Sequence, residues 1–146
     1  MIQALLIALL GGLVLPLQAG LNAELRQGLG NPLLATLASF LIGTVSLVPV
    51  LLAVGVSLPA SGSLATISWW KWVGGALGAV YVLATIVAAP RLGAATMIAT
   101  VVAGQMIASL LLDHYGLAGF THHPVNLWRI AGALLILAGV VLIQRN

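Results

Sequence analysis

The stretch that decides the fold covers residues 32–57 and reads PLLATLASFLIGTVSLVPVLLAVGVS. It contains no charged residue, and it is longer than the roughly 20 apolar residues that an α-helix needs to cross a bilayer. The run is continuous, whereas strands of a membrane β-barrel alternate in segments of about ten residues. It therefore predicts a spanning helix, with Pro32 in its first turn and Pro49 at a tolerated internal break.

Four further apolar runs lie on either side of this stretch, separated by short connections that are polar or rich in proline and glycine. Five spans would fill the 146-residue chain. We therefore expect an all-α integral membrane protein with a single five-helix transmembrane domain over residues 1–146. The other helices are expected at about residues 2–25, 69–89, 94–114 and 127–143, with connections at residues 26–31, 59–68, 90–93 and 115–126.

The composition points to the same class of protein. Hydrophobic residues make up 62% of the chain and charged residues 5%, whereas a soluble domain carries roughly 25% charged residues. The five Lys and Arg residues stand singly near helix ends, which is typical of membrane proteins and gives no reason to expect a nucleic-acid partner. The chain has no cysteine, which excludes disulfides and thiolate chemistry. The N-terminal run lacks a basic segment, so we interpret it as the first span and not as a signal peptide.

The positive charges divide almost evenly between the two ends of the predicted bundle. Five spans put Lys71 and Arg129 on the N-terminal side of the membrane and Arg26, Arg91 and Arg145 on the other side. Because the Lys/Arg excess sets orientation, an excess of one charge selects only weakly. Two expectations stay open: dual topology with an antiparallel homodimer, or one fixed orientation with the three-cation side in the cytoplasm.

Polar side chains recur every four residues inside the spans and so share a helix face. The clearest series is Gln105, Ser109 and Asp113, and a second pair is Gln18 and Asn22. A polar stripe against lipid would leave its groups unpaired, at a cost of several kcal/mol each. These residues are therefore expected to line a substrate pathway. The alternative is hydrogen bonding that only holds helices together, and we favour it for hydroxyl groups, which can bond to their own helix backbone.

The two acidic residues lie near the ends of their spans. Asp113 is expected to pair with Arg129 or His114, and Glu24 with Arg26; coupling or gating is the open alternative for both acids. With no carboxylate at the centre of a span, exchange of protons and cations at one buried acid is not expected.

No motif in the sequence predicts catalysis or a cofactor. His122 and His123 are interpreted as loop residues, because a metal site needs three or four converging ligands. The chain has no phosphate-binding loop, no HExxH and no nucleophile elbow. We therefore expect no enzyme activity, no metal and no cofactor.

Small residues recur at helical spacing, as at Gly74 and Gly78, and Gly132 and Gly139 lie on nearly one face of the last helix. This spacing lets helix backbones approach closely in lipid. It is interpreted as ordinary helix packing, with a dedicated dimer face as the alternative.

Several short segments follow one another along nearly the whole chain: Leu17-Gln18-Ala19-Gly20-Leu21-Asn22-Ala23, Leu29-Gly30-Asn31-Pro32-Leu33-Leu34-Ala35-Thr36, Ser39-Phe40-Leu41-Ile42-Gly43, Gly104-Gln105, Asp113-His114 with Gly116, Arg129-Ile130-Ala131-Gly132 and Gly139-Val140. In this order and spacing they resemble the YdcZ-like family of inner-membrane exporters in the drug/metabolite transporter superfamily. The resemblance implies a five-helix unit that is half of a ten-helix inverted-repeat transporter, working as an antiparallel pair. Glu24 lies nearer its helix end than the glutamate of small four-helix relatives, which argues against proton-coupled export of cationic drugs.

The sequence thus predicts a multi-pass protein of the bacterial inner membrane that exports a small-molecule metabolite as an antiparallel, dual-topology homodimer in the lipid bilayer. The alternatives are a channel-like facilitator and a non-transporting membrane subunit. Glu24 and Asp113 are the expected coupling or gating residues. The expected substrate-binding residues are Gln18, Asn22, Phe40, Tyr81, Gln105 and Ser109.

Overall fold

The computed structural model describes residues 1–59, 62, 64 and 66–145. Across these ranges the chain forms five long α-helices and no β-strand. All five helices are long and apolar enough to cross a membrane. The all-α prediction with five spanning helices is therefore confirmed. The helices are α1 (Ile2–Leu29), α2 (Pro32–Val54), α3 (Val73–Leu92, preceded by a 3₁₀ turn at Trp69–Trp72), α4 (Ala94–Tyr115) and α5 (Leu127–Gln144).

The connection between α1 and α2 is much tighter than predicted. Residues 26–29 were expected in a turn, but they continue α1, because the first residue to leave the helical conformation is Gly30, with φ 69°. The Gly30 N–H donates to the Arg26 carbonyl oxygen at 2.8 Å. The Asn31 side chain then accepts from the Leu33 N–H at 2.8 Å and caps α2. One left-handed glycine and one capping amide therefore make the whole connection.

Glycines also set two other helix ends that the sequence placed wrongly. Helix α2 was expected to reach residue 57, but it ends at Val54, where Gly55 takes φ 71°. A turn was expected over residues 90–93, yet Pro90 and the two residues after it are helical, and the break comes at Gly93, with φ 73°. A proline in the last turn removes only one backbone N–H, so the helix tolerates it. Of the expected connection over residues 59–68, residues 60, 61, 63 and 65 lie outside the described residues.

The chain divides into two compact units, Met1–Pro90 and Arg91–Asn146. In the first unit α1 packs along α2, and a small core forms from Ala35, Val82 and Ile86, with Leu25 and Tyr81 against it. In the second unit α4 packs along α5. The prediction of one five-helix domain over residues 1–146 stays a prediction.

Large apolar side chains are exposed along every helix, as Leu13, Leu52, Leu77, Ile107 and Leu135 illustrate. Soluble proteins rarely expose large contiguous apolar patches. In a bilayer the same side chains contact lipid tails or another chain at no such cost. The exposed surface therefore fits a membrane and not water.

Candidate functional site

A cavity of about 410 Å³ lies between α1, α2 and α3. Gln18 enters it from α1 and Phe40 from α2, so two of the expected substrate-binding residues meet there. Ser39 and Thr44 also line it, and the Thr44 hydroxyl donates to the Phe40 carbonyl oxygen at 2.8 Å. The cavity thus has one amide, two hydroxyl groups and an otherwise apolar wall, which suits a small molecule with few polar groups.

Asn22 and Tyr81, the other two expected residues of this unit, do not line that cavity. Asn22 is buried, with 7% of its surface exposed, and no hydrogen bond of its side chain is found among the described residues. Among the described residues, every fully enclosed polar side-chain atom has a hydrogen-bond partner. Because the Asn22 amide has no such partner there, it keeps some access to the surface. Tyr81 packs against the core of Ala35, Val82 and Ile86. Asn22 therefore has free hydrogen-bonding capacity, whereas Tyr81 is partly a packing residue.

Phe40 lines a second cavity as well. That neighbouring space of about 430 Å³ lies between α2 and α3 and is almost entirely apolar. The Phe40 ring passes so close to Gly78 that a Cβ atom there would lie 3.4 Å from the ring Cζ. Gly74 has no such neighbour, since a Cβ atom there would meet nothing within 4 Å. The Phe40 ring therefore leaves little room at position 78 for a side chain larger than that of alanine, whereas no described residue restricts the space at position 74.

Two of the three residues of the polar stripe on α4 line a cavity, and the third does not. Ser109 and Asp113 line a cavity of about 390 Å³ between α4 and α5. Gln105, one turn earlier, is exposed and is not part of its lining. The Ser109 hydroxyl donates to the Met106 carbonyl oxygen at 3.0 Å, and Thr44 and Ser46 likewise donate to their own helix. The interpretation of these hydroxyl groups as backbone-bonded is confirmed.

An ion pair lines one end of the α4–α5 cavity. Arg129 Nη2 lies 3.0 Å from Asp113 Oδ2, which confirms the predicted pairing. Arg129 Nη1 donates to the His123 carbonyl oxygen at 3.0 Å, and the His123 N–H donates to the Asp113 carbonyl oxygen at 2.8 Å. His114 has a different role, because its Nδ1 accepts from the Val125 N–H at 3.2 Å. These bonds hold the loop between α4 and α5 against the end of α4.

The expected ion pair between Glu24 and Arg26 is wrong. Residues two apart on a helix do not face each other, and Glu24 is exposed without a salt bridge in the described chain. Arg26 instead reaches α3, where its Nη1 lies 3.4 Å from the Ile86 carbonyl oxygen. That carbonyl lacks its usual helical donor because the residue four positions later is Pro90, which has no N–H. Arg26 therefore ties the end of α1 to α3.

The histidine pair lies in the loop between α4 and α5, as predicted, and both side chains are exposed. His123 Nδ1 lies 3.1 Å from the Thr121 hydroxyl oxygen. Within residues 1–59, 62, 64 and 66–145, no three His, Asp or Glu side chains converge as metal ligands would.

Among the described residues, five helices long and apolar enough to cross a membrane define a multi-span membrane protein, and three small cavities lie between these helices. A family model described as "Putative inner membrane exporter, YdcZ" matches residues 3–142. The chain is also 34% identical over 118 residues to the "Inner membrane protein YdcZ" of Escherichia coli (strain K12), covering 78% of this chain and 76% of that protein. The chain therefore belongs to the YdcZ family of inner-membrane exporters, which confirms the resemblance and the expected localisation. No solved structure matches it.

Proposed function

We propose that the protein is a secondary transporter that exports a small polar or amphipathic metabolite as an antiparallel homodimer, by alternating access. The observation that carries the proposal is the exposure of amide side chains on spanning helices. Gln18 and Gln105 are both exposed in the single chain. An amide that faces lipid leaves its donors and acceptors unpaired. Substrate, water or a second chain must therefore satisfy these groups in the membrane.

In this proposal the substrate contacts Gln18, Asn22, Phe40, Tyr81, Gln105 and Ser109 during its passage. Gln18 and Phe40 supply an amide and an aromatic wall in one cavity. Gln105 offers a second amide that no hydrogen bond among the described residues occupies. Glu24 and Asp113 lie nearer the helix ends and act in coupling or gating. Binding by amides and two aromatic residues, Phe40 and Tyr81, suits a molecule without a fixed net charge.

A homodimer of antiparallel chains is supported by charge and by symmetry. The Lys and Arg residues differ by one between the two sides of the five predicted spans, so no strong excess fixes one orientation. Many transporters build alternating access from two inverted repeats around a site at the midplane. A single five-helix chain supplies one such repeat. A second, inverted copy would place its Glu24 on the membrane face that carries Asp113 of the first chain, and the two mouths would be chemically equivalent.

Efflux from proteoliposomes tests this function directly. Vesicles containing the purified protein would be loaded with a defined mixture of amino acids, sugars, nucleosides and polyamines, and mass spectrometry would identify what leaves. Saturation together with stimulation by external substrate supports a transporter. Flux that rises linearly with concentration would instead indicate a channel-like facilitator. Retention of every compound would indicate a non-transporting subunit and would contradict the proposal.

Gln105→Ala tests the exposed amide on α4. We expect it to abolish efflux while the protein still elutes as a dimer in size-exclusion chromatography, because no described hydrogen bond within the chain depends on this side chain. Thr100→Ala is the matched control on the same helix, since the Thr100 hydroxyl is exposed but donates to the Thr96 carbonyl oxygen at 2.8 Å. Normal efflux by Gln105→Ala would remove this residue from the transport site.

A further inference from the structure

We propose that the α4–α5 cavity binds a small zwitterion that carries an apolar tail, with its two charges on Asp113 and Arg129. The inference deepens the proposed function. It rests on that function only in one respect, namely that the zwitterion is the class of substrate that the protein transports. It gives Asp113 and Arg129 a ligand-binding role in addition to their ion pair. Because the cavity lies wholly within the second unit, binding can be measured independently of transport.

The charged end of the cavity has unused capacity on both partners. Arg129 uses two of its bonds on Asp113 Oδ2 and the His123 carbonyl oxygen, and a guanidinium has five N–H donors. The second Asp113 oxygen, Oδ1, accepts no hydrogen bond from the described residues. The side chains of Arg129 and Asp113 are 32% and 26% exposed, so a ligand can reach both. A positive and a negative contact point thus lie side by side at the cavity.

Apart from Ser109, the rest of the lining is apolar. Met106, Leu110, Ala133 and Ile136 form the walls, and Ser109 adds one hydroxyl oxygen. The volume of about 390 Å³ is near the lower limit of about 300 Å³ for small-molecule sites. This space accommodates a short aliphatic tail beneath a polar head.

Two charges of opposite sign, one ion-pair distance apart, favour a zwitterion over a singly charged ligand. An anion near Arg129 would also lie near the Asp113 carboxylate, and the repulsion would offset most of the attraction. A cation near Asp113 meets the same difficulty from Arg129. A ligand with adjacent ammonium and carboxylate or phosphate groups satisfies both. A free amino acid with an apolar side chain has this chemistry, and so does the headgroup of a zwitterionic phospholipid.

Three probes with one shared tail separate the charge requirements. L-leucine carries both charges, 4-methylpentanoate lacks the ammonium group, and 3-methylbutylamine lacks the carboxylate. Binding would be measured by isothermal titration on the full chain in nanodiscs of phosphatidylglycerol, which contain no zwitterionic lipid. We expect leucine to bind at least about tenfold more tightly than either partial probe, the effect of losing one charge-assisted contact. Equal affinity for all three probes would overturn the proposal.

Two glycines on α5 provide a matched pair of cavity variants. Gly132 lines the cavity, Gly139 does not, and an added Cβ atom meets nothing within 4 Å at either position. Gly132→Leu should therefore place its side chain in the cavity and reduce leucine binding at least about tenfold, whereas Gly139→Leu should leave binding unchanged. Leucine binding that survives Gly132→Leu would place the ligand elsewhere and contradict the site. Asp113→Asn should shift preference from leucine towards 4-methylpentanoate, a gain that a purely structural ion pair would not produce.

The same variants identify the source of the ligand and separate this inference from the proposed function. Leucine could fail to bind while phosphatidylethanolamine raises the thermal stability of the natural chain but not that of Gly132→Leu. That result would confirm the zwitterion site and identify lipid as its ligand. No response to either ligand would refute the site. Leucine binding without any flux in proteoliposomes would keep the site and refute the transporter. Saturable efflux of other compounds that is unchanged in Gly132→Leu, together with no response to leucine or to phosphatidylethanolamine, would keep the transporter and refute the site.

Discussion

The contact between Arg26 and the Ile86 carbonyl oxygen gives a prediction that depends on Pro90. A carbonyl four residues before a proline has lost its helical donor, and the Arg26 guanidinium occupies that place from the neighbouring helix at 3.4 Å. Pro90→Ala would restore a backbone N–H to α3. The arginine should then become dispensable for stability. Arg26→Met keeps the length of the side chain and removes its donors.

The size of the effect follows from the geometry of this contact. A hydrogen bond to a charged group is typically worth about 1.5–3 kcal/mol. The distance here is longer than the usual range of 2.7–3.2 Å and the contact is only partly buried, so we expect about 1 kcal/mol. Arg26→Met should cost this amount in the natural chain and close to nothing in Pro90→Ala. The coupling free energy between the two substitutions should therefore be about 1 kcal/mol.

The free energies of unfolding of the four chains would be measured in mixed micelles with increasing dodecyl sulfate. Arg91→Met is the matched control, because Arg91 is an exposed arginine in the last turn of α3, and it should change stability by less than about 0.5 kcal/mol. A cost for Arg26→Met that is the same in the natural chain and in the Pro90→Ala variant would refute the reasoning, since the arginine would then stabilise the protein through something other than the unpaired carbonyl.

Two further predictions concern the side chains around the cavities. Gly78→Leu should destabilise the protein by about 1–3 kcal/mol in the same unfolding assay, because the added side chain overpacks against Phe40. Gly74→Leu should be nearly neutral, because its Cβ atom meets nothing within 4 Å. Equal costs at both positions would contradict the packing of Phe40. Asp113→Asn should cost about 1 kcal/mol, since the ion pair is partly exposed, and should speed proteolysis in the loop between α4 and α5; unchanged stability and proteolysis would show that the ion pair does not hold the loop.

The spans were predictable from the sequence because about twenty apolar residues in a row have no other stable place than a bilayer. Their ends were less predictable. Arg26 and Pro90 looked like the first residues of turns, but α1 and α3 continue past them to the glycines that adopt positive φ, Gly30 and Gly93. A charged residue or a proline in the last turn is compatible with a helix, whereas a left-handed residue ends it.

The candidate sites were predictable where spacing along one helix decided them. The four-residue interval placed Ser109 with Asp113 beside one cavity, and opposite charge predicted the partner Arg129. The cross-helix partner of Arg26 could not be found by pairing charges, because it is a backbone carbonyl 60 positions away. The available signal was Pro90, which removes one N–H and so leaves an acceptor in need of a donor. The meeting of Gln18 with Phe40 depends on how α1 packs on α2, which spacing within a single helix does not specify.

The antiparallel homodimer is the central claim, and labelling of single cysteines in intact cells tests it most directly. The natural chain has no cysteine, so an introduced cysteine would be its only thiol. Ser63 in the connection between α2 and α3 would be a natural labelling position, but it lies outside the described residues. Two exposed positions on opposite predicted sides are used instead. Leu117→Cys reports the N-terminal side and Gln27→Cys the other side. An impermeant thiol reagent should label about half of each variant, the fraction expected when no charge excess sets orientation. Near-complete labelling of one variant with almost none of the other would mean a single fixed orientation and would contradict the antiparallel homodimer.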